Sequence, residues 1–154
     1  MKIYIAGPMR GKPYFNRDLF NEAADRLRGQ GLDPVSPIDL DLARCPEIFD
    51  LPGAPEGIWT DSTPQDYLRV MAEDLLILAE CDGMLLLGGW PESVGASIEQ
   101  KLGEHLPQVI CSEQGPPLVP LLGTWGEEKK MFLRGNRWRA AATWLLKCHR
   151  RKGS

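Results

Sequence analysis

The sequence has few of the residues that build metal sites and disulfide frameworks. It contains two histidines and four widely spaced cysteines, with no C-x-x-C pair and no cysteine and histidine spacing typical of zinc. We therefore expect no metal site and no disulfide scaffold, and we interpret the cysteines as reduced thiols of a cytoplasmic protein. The pattern also indicates no cofactor.

Long apolar runs and an excess of positive charge are also missing. No apolar run approaches the roughly 20 residues that a membrane-spanning helix needs, and residues 1–5 read directly into a predicted strand. We expect neither a membrane anchor nor a signal peptide. The net charge of -3 gives the chain no general affinity for nucleic acid polymers. With 154 residues, of which 43% are hydrophobic, we expect residues 1–154 to form a single domain.

Short apolar runs alternate with amphipathic segments along the first 111 residues. We predict strands over 2–6, 34–37, 83–88 and 108–111, and helices over 15–27, 64–81 and 93–106. This order indicates a flavodoxin-like or Rossmann-like parallel sheet of about five strands with helices on both faces. Within 113–154, a last strand over 118–125 and a last helix over 137–148 complete the prediction.

Residues 38–63 contain three prolines and two glycines and show no sustained period. A loop of this length within a domain is usually functional or disordered. We predict a long loop that forms a lid or a pocket wall, with Trp59 as the aromatic side chain that it contributes.

Two glycine-containing loops, 7–11 and 88–93, each follow a predicted strand. Because ligands bind at the carboxyl ends of parallel strands, both loops are expected to line one crevice. Arg10 by its charge, Ser93 by a hydrogen bond, and the backbone N–H groups of Met9, Gly11 and Gly95 would together hold a phosphate. Trp90 would stack on a flat nucleobase, although a plain turn and a core tryptophan fit the same residues.

Two carboxylates lie on the helices nearest to this crevice. Glu99 is about one turn into the helix that follows the second loop, and Asp74 interrupts the most apolar part of the preceding helix. A carboxylate beside an anion-binding loop can attack an anomeric carbon, and a desolvated carboxylic acid can protonate a leaving base. The pattern alone leaves open that both side chains face the solvent.

Four motifs in this order resemble the nucleoside 2-deoxyribosyltransferase superfamily. They are Tyr4-Ile-Ala-Gly-Pro-Met-Arg-Gly11, Asp74-Leu75, Cys81-Asp82 and Ser93-Val-Gly-Ala-Ser-Ile-Glu99. Within the superfamily the chain is similar to the 2′-deoxynucleoside 5′-monophosphate N-hydrolases and to bacterial and phage proteins with the form Gly-Trp-x-x-Ser-x-Gly-Ala-x-x-Glu. The resemblance covers residues 1–112.

The resemblance implies a homodimer that cleaves an N-glycosidic bond through a covalent glutamyl-sugar intermediate. It assigns Glu99 as the nucleophile, Asp74 as the acid near the sugar and base, and Tyr4 as the residue that orients the nucleophile. The implied 5′-phosphate cradle consists of Gly7, Arg10, Gly11, Ser93 and Gly95. The related nucleoside transferases carry an aspartate at the position of Ser93, which would repel a phosphate, so the serine favours a nucleotide.

Pro8 departs from the hydrolases, which have a small polar residue there, and it removes one N–H donor from the first loop. Three functions remain open: hydrolysis of a nucleoside 5′-monophosphate, transfer of deoxyribose between bases, and nucleotide binding without turnover. In each case we expect a small-molecule nucleotide as the ligand and a second copy of the chain as the partner, with no nucleic acid polymer and no membrane.

Overall fold

A parallel sheet forms the centre of the computed structural model, which describes residues 1–106 and 109–113. Its four strands are β1 (Lys2–Ala6), β2 (Asp33–Val35), β3 (Gly83–Leu86) and β4 (Val109–Ser112), in the order β2-β1-β3-β4. Tyr4 pairs with Val35 on one side and with Met84 on the other. All four carboxyl ends therefore lie at the same edge of the sheet.

Helices cover both faces of this sheet. They are α1 (Arg17–Arg28), α2 (Pro37–Arg44), α3 (Pro64–Ala79) and α4 (Val94–His105). Because successive side chains of a strand point to opposite faces, Ile3 and Ile5 pack in one apolar cluster with Phe20 of α1. Tyr4 and Ala6 pack in a second cluster, which receives residues from α3 and α4. We call these the α1-side cluster and the α3/α4-side cluster.

The predicted α/β fold with a parallel sheet and helices on both faces is confirmed. The described residues contain four of the roughly five strands expected. The predicted last strand over 118–125 and last helix over 137–148 lie outside the described residues.

The helices that flank the candidate crevice begin where their capping residues predict. Thr63 Oγ1 accepts a hydrogen bond from the Asp66 amide at 3.2 Å, and Asp66 Oδ2 accepts one from the Thr63 amide at 2.9 Å, which together form a capping box on α3. Ser93 Oγ accepts a hydrogen bond from the Ala96 amide at 3.3 Å and caps α4. These caps fix the helix N-termini at the edge where the strands end.

The prediction of a continuous loop over 38–63 is wrong. α2 occupies its first part, and short 3-10 helices follow at Pro46–Asp50 and Ala54–Glu56. Pro37 suits the first position of a helix, but α2 has only eight residues, too few for a periodic pattern to emerge. Trp59, expected to line the crevice, packs against the α1-side cluster instead.

Two details of the predicted helices also differ. α1 begins at Arg17 rather than near Phe15, because Tyr14, Phe15 and Asn16 have left-handed φ values of 47°, 56° and 65° and cannot continue a right-handed helix. In α3, Leu68 was expected on the buried face but is 64% exposed. Within 1–106 and 109–113, no helix combines the length and the apolarity needed to cross a bilayer.

Candidate active site

Glu99 faces the sheet from α4. Its Oε1 accepts a hydrogen bond from the Tyr4 hydroxyl at 2.7 Å. Glu99 is 5% exposed, and Tyr4 is fully buried in the α3/α4-side cluster. The structure therefore brings together the residues that were predicted as nucleophile and orienting tyrosine, and the solvent-facing alternative for Glu99 is wrong.

Asp74 is also buried, at 5% exposed, and it is paired with an arginine. Arg44 Nη1 lies 2.9 Å from Asp74 Oδ1, so α2 supplies the cation for an acid on α3. The solvent-facing alternative for Asp74 is therefore wrong as well. A buried carboxylate with a charge-assisted hydrogen bond has a fixed orientation, which suits a group that acts on a bound ligand.

The first loop is held from two sides. Asn16 Nδ2 donates to the Pro8 carbonyl at 2.9 Å, and the Gly11 amide donates to the Gly57 carbonyl at 3.1 Å. The Gly11 N–H group, expected to bind phosphate, is therefore already engaged, and that expectation is wrong for this one donor. The partner was not foreseen because Gly57 lies 46 residues away in sequence, within the segment interpreted as a loop.

The two loops lie against each other, as the sequence predicts. A Cβ atom on Gly7 would lie 2.9 Å from Leu87 Cβ, so the backbone of the first loop passes directly over the end of β3. Likewise, a Cβ atom on Gly89 would lie 3.5 Å from the ring of Pro8. The glycine at position 7 thus permits a close approach that a side chain would prevent.

Arg10 is exposed and rests on an aromatic ring of α3. Its guanidinium carbon lies 3.9 Å from the centre of the Tyr67 ring. The Tyr67 hydroxyl oxygen would in turn be 3.6 Å from a Cβ atom on Gly95, in the first turn of α4. Tyr67 therefore lies between Arg10 and the N-terminus of α4. Its cation-π contact holds Arg10 at this edge of the sheet.

The remaining predicted contacts are arranged around these groups. Trp90 begins a short 3-10 helix, Trp90–Glu92, and packs partly buried against the α3/α4-side cluster. Met9 packs its side chain against the α1-side cluster. Ser93 accepts a hydrogen bond through its hydroxyl oxygen, and its hydroxyl proton remains a donor for a ligand.

Residues 1–112 match the model of a family described as a domain of unknown function, DUF4406. The chain belongs to the DUF4406 family. The match includes all four strands and every candidate site residue. No curated protein matches the chain. The family description names no activity.

Burial dominates the electrostatics of this DUF4406 domain. It raises the pKa of Glu99 to about 8, against the opposing hydrogen bond from Tyr4 and with a further increase from the charge of Asp74. Burial and the charge of Glu99 raise the pKa of Tyr4 well above its ordinary value, so the phenol remains a donor. Burial likewise raises the pKa of Asp74, while Arg44 opposes that rise.

Sequence reasoning missed two residues of this site, both on α2. Asp41 is 8% exposed, and burial together with the charge of Asp74 raises its pKa to about 7. Arg44 contacts both Asp41 and Asp74 through Nη1. The sequence did contain a signal for this helix. Ser36-Pro37 is typical of a helix start, and Asp41 and Arg44 have the i,i+3 spacing of an ion pair on a helix.

A shallow groove of about 420 Å³ lies on another surface, along α4. It is lined by Pro91, Glu92, Val94, Ser97, Ile98 and Lys101. None of the candidate catalytic residues lines it, so we treat it separately from the site at the carboxyl edge of the sheet.

Proposed function

We propose that this DUF4406 protein is an N-glycosidase that hydrolyses the bond between base and sugar in a (deoxy)nucleoside 5′-monophosphate. The observation that carries the proposal is the buried hydrogen bond from Tyr4 of β1 to Glu99 of α4, the strand that precedes the 7–11 loop and the helix that follows the 88–93 loop. The motif resemblance to the nucleoside 2-deoxyribosyltransferase superfamily supports the same chemistry.

The first step forms a bond between Glu99 and the sugar. Tyr4 donates to Oε1, which leaves Oε2 as the oxygen that attacks C1′. The C1′–O bond forms as the C1′–N bond breaks, and the electron pair of the broken bond leaves with the base, which takes up a proton. The charge of Asp74 raises the pKa of Glu99, so the two carboxyl groups act on each other. Asp74 assists the departure of the base.

The second step releases the sugar phosphate. A water molecule attacks C1′ of the glutamyl ester, its proton is lost to solvent, and the carboxylate of Glu99 is regenerated. The buried Tyr4 donor stabilises that leaving carboxylate. The reaction consumes one water and yields a free base and a sugar 5-phosphate.

The phosphate preference is supported by the charges around the two loops. Arg10 is the exposed cation held at the crevice, and Ser93 retains a hydroxyl donor at the N-terminus of α4. A helix N-terminus favours an anion, and a serine permits one where an aspartate would repel it. A nucleoside without a phosphate would leave these groups without a ligand.

A non-catalytic nucleotide-binding function is the second candidate, and the pKa of Glu99 favours it. With a pKa of about 8, Glu99 is mostly protonated in the ligand-free protein at neutral pH. A protonated carboxyl group is a poor nucleophile, but it can fix a sugar hydroxyl by hydrogen bonding. Catalysis therefore requires that Glu99 loses its proton when the substrate binds or at higher pH.

A homodimer is the proposed assembly. Of the seven large apolar side chains exposed in the described residues, four lie on α3 and α4: Leu68, Leu76, Val94 and Ile98. Val94 and Ile98 also line the shallow groove. Exposed apolar side chains on two neighbouring helices support an interface between two copies of the chain.

The decisive experiment incubates the wild-type protein with a panel of ribo- and deoxyribonucleoside 5′-monophosphates and the matching nucleosides, and measures free base by chromatography. We expect base release from at least one nucleotide and its loss in Glu99→Ala. Glu104→Gln, on the exposed side of α4, is the matched control and should retain activity.

Each alternative has its own outcome. Exchange of an added second base into a new nucleoside would select the transferase. Calorimetric binding of a nucleotide without release of base would select the binding module. If the wild type neither cleaves nor binds any member of the panel, the proposed function is wrong.

A further inference from the structure

The guanidinium group of Arg44 joins two helices at the candidate active site. Its Nη1 lies 2.9 Å from Asp74 Oδ1 and 3.4 Å from Asp41 Oδ1, and its Nε lies 2.9 Å from Glu73 Oε2. Asp41 shares α2 with Arg44, whereas Glu73 and Asp74 are neighbours on α3. Arg44 therefore fastens the segment 37–44 to the acid that is assigned to the departing base.

The contact with Asp74 is the one through which Arg44 affects the site. The side chain of Asp74 is 7% exposed, whereas that of Glu73 is 46% exposed. Exposed ion pairs are weak because water screens them, while removal of one partner from a buried pair leaves an uncompensated charge. Between the two aspartates that Nη1 contacts, Asp74 is the nearer.

We propose that Arg44 is a positioning residue that holds the Asp74 carboxylate ionised and oriented beside Glu99. The inference rests on the proposed function, since Asp74 acts in catalysis only if a base departs there. An ionised Asp74 stabilises the positive charge that develops on the sugar as the C1′–N bond breaks. The proton that the base takes up then comes from water rather than from Asp74.

The charged and titratable groups around Asp74 determine whether its carboxyl group stays ionised when Arg44 is replaced. They are Arg44 and Asp41 from α2, Glu73 from α3 itself, Glu99 from α4 and Tyr4 from β1. Within this set only Arg44 is cationic. Removal of Arg44 leaves acids alone around a buried carboxylate, which favours the protonated form of Asp74.

The test compares Arg44→Met and Arg44→Lys with the wild type in the full-length protein. The pKa of Asp74 is measured without ligand by carbon NMR of the side-chain carboxyls, and kcat and KM are measured against pH. For Arg44→Met we expect the pKa of Asp74 to rise by about 1 to 3. We expect kcat to fall at least about tenfold with little change in KM, and Arg44→Lys to restore part of both.

Arg28→Met is the matched control. Arg28, the last residue of α1, approaches Asp39 of α2 at 4.0 Å and is about half exposed. Its loss should change neither the pKa of Asp74 nor kcat. Arg44→Gln, which keeps a polar side chain but removes the charge, takes the place of Arg44→Met if that variant fails to fold, and the pKa of Asp74 should rise in it as well.

An unchanged pKa of Asp74 in Arg44→Met would overturn the inference, as would an equal loss of kcat in Arg28→Met. If Arg44→Met does not fold, an unchanged pKa of Asp74 in Arg44→Gln would overturn it. The NMR readout needs no substrate. If the wild type turns over no nucleotide while the pKa values move as expected, the ionic role of Arg44 stands and the proposed function fails.

Discussion

At the scale of the residue, burial of Glu99 links catalysis to stability. Its pKa is about 8 in the folded protein and has the ordinary value of 4.5 in an unfolded chain. Between these pH values the folded protein binds more protons than the unfolded chain. The free energy of unfolding therefore decreases as pH rises through this window, and the contribution of Glu99 to stability is lost above pH 8.

Glu99→Gln should remove this part of the pH dependence. Glutamine keeps an oxygen that accepts the Tyr4 hydrogen bond, but it does not ionise. We expect the melting temperature of the variant to fall less than that of the wild type between about pH 5 and pH 8, with the variant the more stable at the higher pH. Parallel curves for the two proteins in thermal scans would contradict the assigned pKa.

The ring of Tyr67 supports Arg10, whose guanidinium carbon lies 3.9 Å from the ring centre. Tyr67→Leu should raise KM for a nucleoside 5′-monophosphate roughly two- to fivefold, the value of an exposed cation-π contact. kcat should stay the same, and Tyr67→Phe, which keeps the ring, should resemble the wild type. An equal rise in KM for the nucleoside without phosphate would show that Arg10 does not contact the phosphate.

At the scale of the element, length and periodicity determined what the sequence could predict. α3 and α4, with 16 and 12 residues, each carry a capping residue and an apolar stripe, and both were predicted. α2 has eight residues and was missed. The start of α1 was misplaced because no glycine marks the left-handed residues 14–16, two of which are held by contacts outside this segment: Phe15 packs in the α1-side cluster and Asn16 donates to the Pro8 carbonyl.

In the candidate site, too, local features could be predicted from the sequence and long-range contacts could not. Motifs identified Tyr4, Asp74 and Glu99, because the side chain types and the strand-loop-helix order are local. The engagement of the Gly11 amide by Gly57 and the ion pair of Arg44 with Asp74 join segments at least 30 residues apart. Such contacts depend on the fold, so no local pattern could reveal them.

Gly57 tests the link between the segment 38–63 and the first loop. It has a φ of +72°, and a Cβ atom there would lie 2.2 Å from the Lys12 carbonyl oxygen. Gly57→Ala should therefore lower stability by more than the about 1–2 kcal/mol that a left-handed alanine costs. Gly31→Ala is the matched control, because Gly31 has a φ of +74° with no atom within 4 Å. Equal melting temperatures for the two variants would contradict this link.

At the scale of the whole molecule, the exposed apolar side chains of α3 and α4 predict a dimer. In sedimentation equilibrium we expect twice the mass of one chain for the wild type, and dissociation for Leu76→Lys and for Ile98→Lys, because a charge in an apolar interface is costly. Ile58→Lys is the control, since Ile58 is also exposed, at 54%, but lies outside both helices. A monomeric wild type would contradict the proposed assembly.

The proposed function requires that Glu99 is the group that bonds to the sugar of a nucleotide. The most direct measurement treats the protein with a nucleoside 5′-monophosphate whose sugar carries a 2′-fluorine, which slows hydrolysis of the ester, and then determines intact and peptide masses. We expect an added sugar phosphate on the peptide that contains Glu99 and no adduct in Glu99→Gln. Turnover of nucleotides with an adduct at another residue, or with none, would contradict it.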